Sequence, residues 1–409
     1  MNGVLRPVVL PDELDRGYLG FIMRLNGFRT EKNAAAAIAA HFGLEAKTRM
    51  ELPCVELLAM VAAKSTEDFV LDHTTLPLRR AITSYHPDLR HGSTERRSLL
   101  VNSAMCATRA GWYFCSQCIE EDLGFHRRSY WRRSHQIPGQ LWCPKHLIAL
   151  RYVVADASVL LAPSMATGAA VVPQGLVEEA TCNAHVQRFL DIAQGLAEQR
   201  QPLNVRLIQP MLYLQNQVRL AASKSDRSEL LSDSIAATFP RSWLATLYPT
   251  LLDKAYGEPL FQVDAVLTKP TLVSSVWPYM LAAAVLFDTA DEALNALMSA
   301  GRECGVQGKT RRGRFDCNDD GQLIELLARN ESIKSVAKML GRPTASVNKR
   351  AAFLGLVDQP KKGRPTSPVE GIPKSRNTPT RFAVAHSTVS SPWNSRRSRA
   401  PTPSTSESV

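Results

Sequence analysis

The sequence lacks the patterns that would place it in a membrane or in an oxidising compartment. Its longest apolar run, residues 277–287, is too short to span a bilayer. Its first residues do not combine a basic start with an apolar stretch, as a secretory signal does. Only 8 of the 409 residues are Cys, and in a reducing compartment thiols act as metal ligands more often than as disulfides. We therefore expect a cytoplasmic protein with no membrane partner.

The motifs of several common enzyme classes are also missing. The sequence has no HExxH, no Gly-x-Ser-x-Gly and no His-x-Glu of the zinc deaminases. Residues 305–310 resemble the end of a phosphate-binding loop, but Glu303 stands where a Walker A motif requires its first Gly. The sequence thus predicts a binding protein and not an enzyme.

Positive charge exceeds negative charge, and most of the excess lies at one end. Lys and Arg number 49 against 38 Asp and Glu, a net charge of +11. Residues 359–409 hold nine Lys or Arg against two Glu, which accounts for +7 of it. This stretch is rich in Pro, Ser and Thr, so we expect a disordered basic tail. Such a tail attracts nucleic acid or only keeps the protein in solution, and the sequence leaves both interpretations open.

The hydrophobic periodicity predicts a mainly α-helical, multidomain protein. Helices are expected over residues 33–42, 52–63, 178–199, 207–222, 277–287 and 291–300, with two short helices within 228–252 that break at Pro240. Pro77 predicts an extended or turn conformation, and residues 155–175 a linker or short hairpin. The predicted domains are an N-terminal helical part (1–110), a metal module (111–152), a helical domain (153–300), a helix-turn-helix unit (301–358) and the tail (359–409).

The strongest chemical signal is a set of four metal-ligand residues. Cys115 and Cys118 form one pair with two residues between them, and Cys143 and His146 form another, 24 residues later. Two such pairs make two tight knuckles that can aim four donors at one point, a closed tetrahedral Cys₃His shell suited to Zn²⁺. A closed shell leaves no position for a reactive water. We expect about one structural zinc per chain.

Two further donors lie close by in the sequence, Cys106 and His135. We expect His135 to hydrogen-bond a ligand or the backbone and not to bind the metal itself. The loop between the two pairs is basic and aromatic, a combination that suits phosphate contacts and stacking. Its candidate DNA-binding residues are Arg127, Arg128, Arg132 and Arg133. The alternative is a solvated loop that neighbouring acidic residues partly neutralise.

These residues carry a resemblance to a known family. Residues 113–122 (YFCSQCIEED), 130–139 (YWRRSHQIPG) and 141–146 (LWCPKH) resemble the TniQ/TnsD family of transposon target-selection proteins. Weaker matches lie upstream, at 20–27 (GFIMRLNG) and 73–77 (HTTLP). The Ser and Trp that usually stand in the opening motif of the family are absent around 18–22, so no role is assigned to those residues.

The resemblance implies roles that spacing alone does not give. Its zinc shell corresponds to Cys115, Cys118, Cys143 and His146. Such proteins recognise an attachment site or an RNA-guided complex, and recruit an AAA+ ATPase regulator that brings the transposase. The expected partners are therefore double-stranded DNA, that ATPase, and a transposase or RNA-guided complex.

Near the C-terminal end, residues 332–356 fit a helix-turn-helix. Ser332 can cap a first helix with an apolar face, and Thr344 can cap a second. The second helix of such a unit reads the major groove with its polar N-terminal half. The candidate DNA contacts here are Arg342, Thr344, Ser346, Asn348, Lys349 and Arg350. The alternative is an ordinary helical hairpin with a basic face.

Together these features predict a target-site selection protein of a Tn7-like or Tn5053-like transposon. It would bind DNA, recruit the ATPase and transposase, and associate with the bacterial nucleoid. The alternative is a zinc-containing transcriptional regulator with no role in transposition.

Overall fold

The computed structural model describes residues 3–45, 52–223, 229–268, 275–302, 331–340 and 343–353, and the single positions 323, 326 and 327. The chain divides into two compact units, Met1–Lys309 and Thr310–Val409. The predicted tail and Arg342 lie outside the described residues, and the predicted division into five domains stays a prediction.

The protein is mainly α-helical, as the sequence predicts. The helices of the first unit are α1 (Asp15–Asn26), α2 (Glu31–His41), α3 (Cys54–Val61), α4 (Thr66–His73), α5 (Leu76–Arg79), α6 (Arg97–Ser103), α7 (Ser116–His126), α8 (Gln174–Thr181), α9 (Ala184–Ala197), α10 (Val205–Ser223), α11 (Leu231–Thr238), α12 (Arg241–Leu247), α13 (Phe261–Asp264), α14 (Trp277–Leu286) and α15 (Ala290–Arg302). In the described part of the chain, no helix is both long enough and apolar enough to cross a bilayer.

Five short strands complete the first unit. They are β1 (Ile82–Thr83), β2 (Trp112–Phe114), β3 (Arg151–Val153), β4 (Ala170–Val171) and β5 (Leu203–Asn204). β1 and β5 pair in parallel, while β2, β3 and β4 form an antiparallel sheet in that order. Trp112 lies opposite Val153 in this sheet, and Phe114 opposite Arg151. The residues between β3 and β4 include two short 3₁₀ turns, Asp156–Leu160 and Pro163–Met165.

Two large cores and a smaller one hold this unit together. Helices α1 to α4 bury one core around Tyr18, Ile38 and Phe69. Helix α9 packs against α14 and α15 in the other large core, which continues to Cys115, Cys118 and Cys143. A smaller cluster joins Leu14 to Trp112 and Trp131. The predicted metal module therefore shares its apolar surface with the helices that follow it.

Two local predictions were wrong, each for a reason visible in the hydrogen bonds. The helix predicted over 178–199 is two helices, because the Asn183 side chain accepts from the backbone N–H of His185 and Val186 and starts α9 anew. Pro77 lies in the first turn of α5, where a residue without an N–H costs no hydrogen bond.

The residues before Pro77 explain why this short helix forms. The Thr74 hydroxyl accepts from the backbone N–H of Leu76. His73 Nδ1 lies 3.0 Å from the Glu13 carbonyl oxygen. Burial lowers the pKa of His73 to about 4, so the ring is neutral near pH 7 and donates its Nδ1 proton to that carbonyl. The 73–77 segment therefore holds the chain just before α1.

The second unit contains α16 (Ile333–Met339) and α17 (Thr344–Phe353). Val336, Ala337, Leu340, Val347 and Ala351 are buried between them. Leu323, Leu326 and Leu327 are helical and belong to the same cluster. The Ser332 hydroxyl accepts from the N–H of Ser335 and caps α16, as predicted.

Thr344 does not cap the second helix. The Pro343 carbonyl accepts from the backbone N–H of Ser346 and Val347, which makes Thr344 the first helical residue.

Gly139 sits where its backbone and its neighbours both require glycine. Its φ is +84°, and a Cβ built there would lie 2.6 Å from Cζ2 of Trp243. The fully buried Trp243 donates its indole N–H to the Gly139 carbonyl at 2.9 Å. This contact joins the metal region to α12.

We predict that Gly139→Ala lowers the free energy of unfolding by about 2–4 kcal/mol, because it adds left-handed strain to an overlap with the indole. Gly168→Ala is the matched control, since Gly168 has φ +68° and no atom within 4 Å of its built Cβ. The control should lose only about 1 kcal/mol. Urea unfolding midpoints measure both, and equal losses would contradict the packing argument.

Candidate metal centre

The first knuckle forms where β2 passes into α7. Strand β2 ends at Phe114, Cys115 follows in extended conformation (φ −107°), and Cys118 lies in the first turn of α7. The backbone N–H of Ile119 donates to the Cys115 carbonyl. Both sulfurs therefore project from the same end of the helix.

The second knuckle is a tight turn closed by backbone hydrogen bonds. The N–H of Cys143 donates to the Ile148 carbonyl, and the N–H of Leu147 donates to the Cys143 carbonyl, each at 2.8 Å. A bridge between Trp142 and Ala149 fixes the base of the turn. Leu147 takes a left-handed φ of +57°, which turns the chain sharply after His146.

The four predicted ligand residues come together at one point. Nδ1 of His146 lies 3.4 Å from the sulfurs of Cys115 and Cys118 and 3.5 Å from that of Cys143. The sulfurs of Cys118 and Cys143 are 3.7 Å apart, and all four ligand atoms lie within 4.8 Å of one another. A tetrahedral zinc shell has S···S edges of about 3.7 Å and S···N edges of about 3.5 Å. The cluster can hold a metal ion, and its size fits zinc.

The charges of the cluster also favour a divalent cation. Hydrogen bonds from Cys115 and Cys118 lower the pKa of the Cys143 thiol, while the pKa of Cys118 is raised by its hydrogen bonds with the other two sulfurs. The hydrogen bonds among the three sulfurs thus move the pKa values of Cys143 and Cys118 in opposite directions. A bound metal would take all three sulfurs as thiolates, because metal binding requires deprotonated thiols.

An acidic residue orients the histidine. Nε2 of His146 lies 3.0 Å from Oε1 of Glu121, and Nζ of Lys145 lies 2.5 Å from Oε2 of the same carboxylate. The hydrogen bond with Glu121 raises the pKa of His146. With Nε2 committed to the carboxylate, Nδ1 is the nitrogen left for the metal.

His135 lies beside the shell, as the sequence reasoning expected. It is buried, and a side-chain hydrogen bond from it lowers the pKa of the Cys143 thiol. The structure does not include it among the clustered ligands, whereas His146 is included. Cys106 is exposed and lies outside the cluster.

Sequence reasoning missed the residue that shapes the loop around His135. Nη1 of Arg109 donates to the carbonyls of Ile137 and Gln140, at 3.0 and 2.6 Å. Its guanidinium also stacks on Tyr113, with its carbon 3.2 Å from the ring centroid. Burial lowers the pKa of Arg109 to about 10, and the side chain stays charged near neutral pH. Arg109 has no distinctive sequence context, so nothing in the sequence marked it.

Three of the four loop arginines make internal contacts. Arg128 forms two hydrogen bonds to the carboxylate of Glu13, at 2.5 and 2.7 Å. Arg132 pairs with Asp122 at 2.7 Å, and Arg133 donates to the Leu71 carbonyl and lies 3.5 Å from Asp12. Arg127 alone among them is exposed. The geometry favours a structural role for Arg128, Arg132 and Arg133, and a DNA contact by any of the four stays a prediction.

These contacts tie the loop to the segment before α1. The backbone N–H of Leu14 donates to the Trp131 carbonyl, and the N–H of Arg133 donates to the Asp12 carbonyl, each at 2.8 Å. The Ser134 hydroxyl also donates to the Asp12 carboxylate at 2.5 Å. The loop between the two ligand pairs is thus hydrogen-bonded to residues 12–14, which lie more than a hundred residues earlier in the chain.

The predicted contacts of the second unit that the structure describes lie on α17, around the helix outside its buried stripe. Thr344, Ser346, Asn348 and Lys349 are exposed and Arg350 is half-buried, whereas Val347 and Ala351 face the core. The polar residues that sequence reasoning selected therefore remain accessible to a partner.

We predict that Cys118→Ser reduces the metal content from about one zinc per chain to nearly none and lowers the thermal midpoint, because the bound metal contributes folding free energy. Cys182→Ser is the matched control, since Cys182 is exposed and outside the cluster. Elemental analysis and thermal unfolding measure the two effects. Wild-type metal content in Cys118→Ser would show that the ligand set is wrong.

A second prediction concerns neighbouring arginines. Arg128→Met should lower the free energy of unfolding by about 3–5 kcal/mol, because it leaves Glu13, whose side chain is 1% exposed, buried and unpaired. Arg127→Met should change it by less than about 0.5 kcal/mol. Denaturant unfolding and DNA titration of both variants test this. A loss of DNA affinity in Arg128→Met at unchanged stability would make that guanidinium a DNA contact instead.

Comparison with known protein families agrees with the resemblance seen in the sequence. Residues 4–150 match the TniQ family model, and this range includes α1 to α7 and all four clustered ligands. No curated protein matches the chain. TniQ domains occur in target-selection proteins of Tn7-like transposition, and proteins of this family act as non-catalytic adaptors. Residues 4–150, somewhat over a third of the chain, are thus similar to the TniQ family, and this match supports the family assignment.

Proposed function

We propose that this protein selects the target site of a Tn7-like transposon. In this role it binds the attachment-site DNA and recruits an AAA+ regulator, which brings the transposase. The TniQ match over residues 4–150 is the observation that carries the proposal. In the alternative form of this proposal, an RNA-guided complex finds the target site and this protein binds to that complex.

The proposed metal is a structural zinc ion. Three thiolates and one imidazole are a donor set that zinc prefers. The four residues would fill all four coordination positions of a tetrahedral zinc ion. Its proposed role is to hold the knuckles and, through the loop between them, the segment before α1. No reaction step is assigned to it.

DNA reading is assigned to α17. Its exposed Asn348 offers an amide that can pair with adenine, and Lys349 can reach guanine or phosphate. Val347 and Ala351 anchor the opposite face on α16, so the helix can enter a groove without unfolding the unit. The loop arginines Arg128, Arg132 and Arg133 are not included among the proposed contacts, because each already has an internal partner.

We predict that Lys349→Ala weakens binding to the target duplex roughly tenfold, because one phosphate or base contact is lost. If that contact is to a phosphate, the slope of log binding constant against log salt concentration should also decrease by about one. Lys334→Ala is the control for charge, since Lys334 is exposed on α16. Titrations at two salt concentrations measure both variants. Equal effects of the two would mean that only overall charge matters.

The function itself is tested by sequencing the genomic DNA that the purified full chain retains. Enrichment of one discrete site that survives the higher salt concentration supports direct reading of an attachment site. Binding that is unspecific and lost at the higher concentration contradicts direct reading. Enrichment of promoters, with no ATPase recruited to the bound DNA, would favour the transcriptional regulator instead.

A further inference from the structure

Asp15 is buried at the start of α1, with only 2% of its surface exposed. One carboxyl oxygen, Oδ1, accepts from the backbone N–H of Arg16 at 2.6 Å. The other oxygen, Oδ2, has no hydrogen-bond partner among the described residues. A buried polar atom without a partner is costly, most of all when it carries a charge. The protonation state of Asp15 therefore affects the packing around it.

Two basic side chains lie near Asp15, but both are bound elsewhere. Arg16 and Arg79 are close enough to lower the pKa of Asp15 electrostatically. Arg16 pairs with Asp156 at 2.9 Å, and Arg79, on α5, donates to the Ser103 carbonyl at 2.6 Å. Neither of them forms an ion pair with Asp15. An ionised Asp15 would therefore be a buried charge without a direct counter-ion.

Asp15 lines a small cavity between α1 and the chain that leads into β2. The cavity volume is about 10 Å³, which leaves room for no more than about one water molecule, so bulk water does not solvate the carboxyl group. Two hydroxyl groups in the wall donate to backbone carbonyls, Thr75 to Cys106 at 3.0 Å and Thr108 to Gln136 at 2.5 Å. Neither hydroxyl therefore supplies a hydrogen to Asp15.

The other titratable groups around Asp15 do not balance its charge either. Arg109 lines the same cavity, but it donates to two backbone carbonyls of the loop around His135. The Cys106 thiol, also in the wall, donates to a backbone carbonyl one turn earlier. On α3, burial, Glu31 and Asp15 together raise the pKa of the Cys54 thiol to about 12, so this thiol stays neutral.

The environment of Asp15 therefore favours the neutral carboxyl group. Burial raises the pKa of Asp15 from 3.8 to about 7, against the smaller opposing effects of the Arg16 backbone N–H and the charges of Arg16 and Arg79. In the folded protein, the carboxyl group is neutral at mildly acidic pH and charged at mildly alkaline pH.

We propose that Asp15 is a proton-controlled joint between the start of α1 and the chain that leads into β2. With the carboxyl group neutral, α1 stays packed against this segment. When the proton leaves, the buried charge has no direct counter-ion, and the joint opens so that water reaches Oδ2. The preceding Leu14 packs with Trp112 of β2 and Trp131 of the loop between the ligand pairs. Opening therefore also weakens the attachment of α1 to the metal region. This inference goes beyond the proposed function and does not depend on it.

The joint gives the stability of the protein a pH dependence of known sign. In the unfolded chain the pKa of Asp15 is near its ordinary value of 3.8, and in the folded protein it is about 7. The folded state thus binds the proton more tightly. The stability that this proton contributes is complete below about 3.8 and is lost as the pH rises to about 7. At higher pH the loss is constant, because both states are ionised.

The first test is urea unfolding of the full chain and of Asp15→Asn between about pH 5 and pH 8. Asparagine keeps the shape of the side chain without the charge. The ratio of the two unfolding constants should shift in favour of the variant by up to about tenfold per pH unit until about pH 7, and then level off. Asp253→Asn removes an exposed carboxylate and is the matched control, whose ratio to the wild type should stay constant. The same pH dependence in Asp15→Asn and the wild type overturns the proposal.

A second measurement needs no variant, so it decides the matter even if Asp15→Asn does not fold. Amide hydrogen exchange of the wild-type full chain is compared at about pH 6 and about pH 8, after correction for the intrinsic pH dependence of exchange. Residues 14–20 should lose protection several-fold more than α14, which lies in the other large core. Equal changes in protection in these two regions contradict the proposed joint.

Discussion

The first unit depends on one constraint: three sulfurs and one imidazole nitrogen, from two distant parts of the chain, must meet at one point. Their convergence fixes the end of β2, the start of α7 and the turn at 143–147 in a single arrangement. The cluster also forms an edge of the large core around α9 and α14. The clustered donors fix both ends of the loop that connects the two ligand pairs. This loop is hydrogen-bonded to residues 12–14.

The internal contacts of the basic loop indicate a structural role for its arginines. A stretch with four arginines and two aromatic residues has the composition of a nucleic-acid contact. Here Arg128 and Arg132 neutralise Glu13 and Asp122, whose side chains are almost fully buried. A buried carboxylate without its partner is strongly destabilising, so these arginines stabilise the fold of the TniQ domain. In the function that we propose, the second unit reads the DNA.

The clustering of the four donors was predictable because spacing within a knuckle is local, and two knuckles are enough to bring four donors together. The mainly helical fold and the apolar faces of α16 and α17 were predictable from periodicity for the same reason. The partners of the arginines were not, since Glu13 lies 115 residues from Arg128 along the chain and no local pattern links them. The break before α9 depends on which backbone groups Asn183 caps, and periodicity does not contain that information.

The central claim is that the metal shell holds both knuckles and, through the loop, the segment before α1. Amide hydrogen exchange of the full chain, with and without removal of the metal by a chelator, tests it most directly. The account predicts that residues 3–14 and 111–153 lose protection together, while α14 keeps its protection. Unchanged exchange at residues 3–14 after complete metal removal would contradict it.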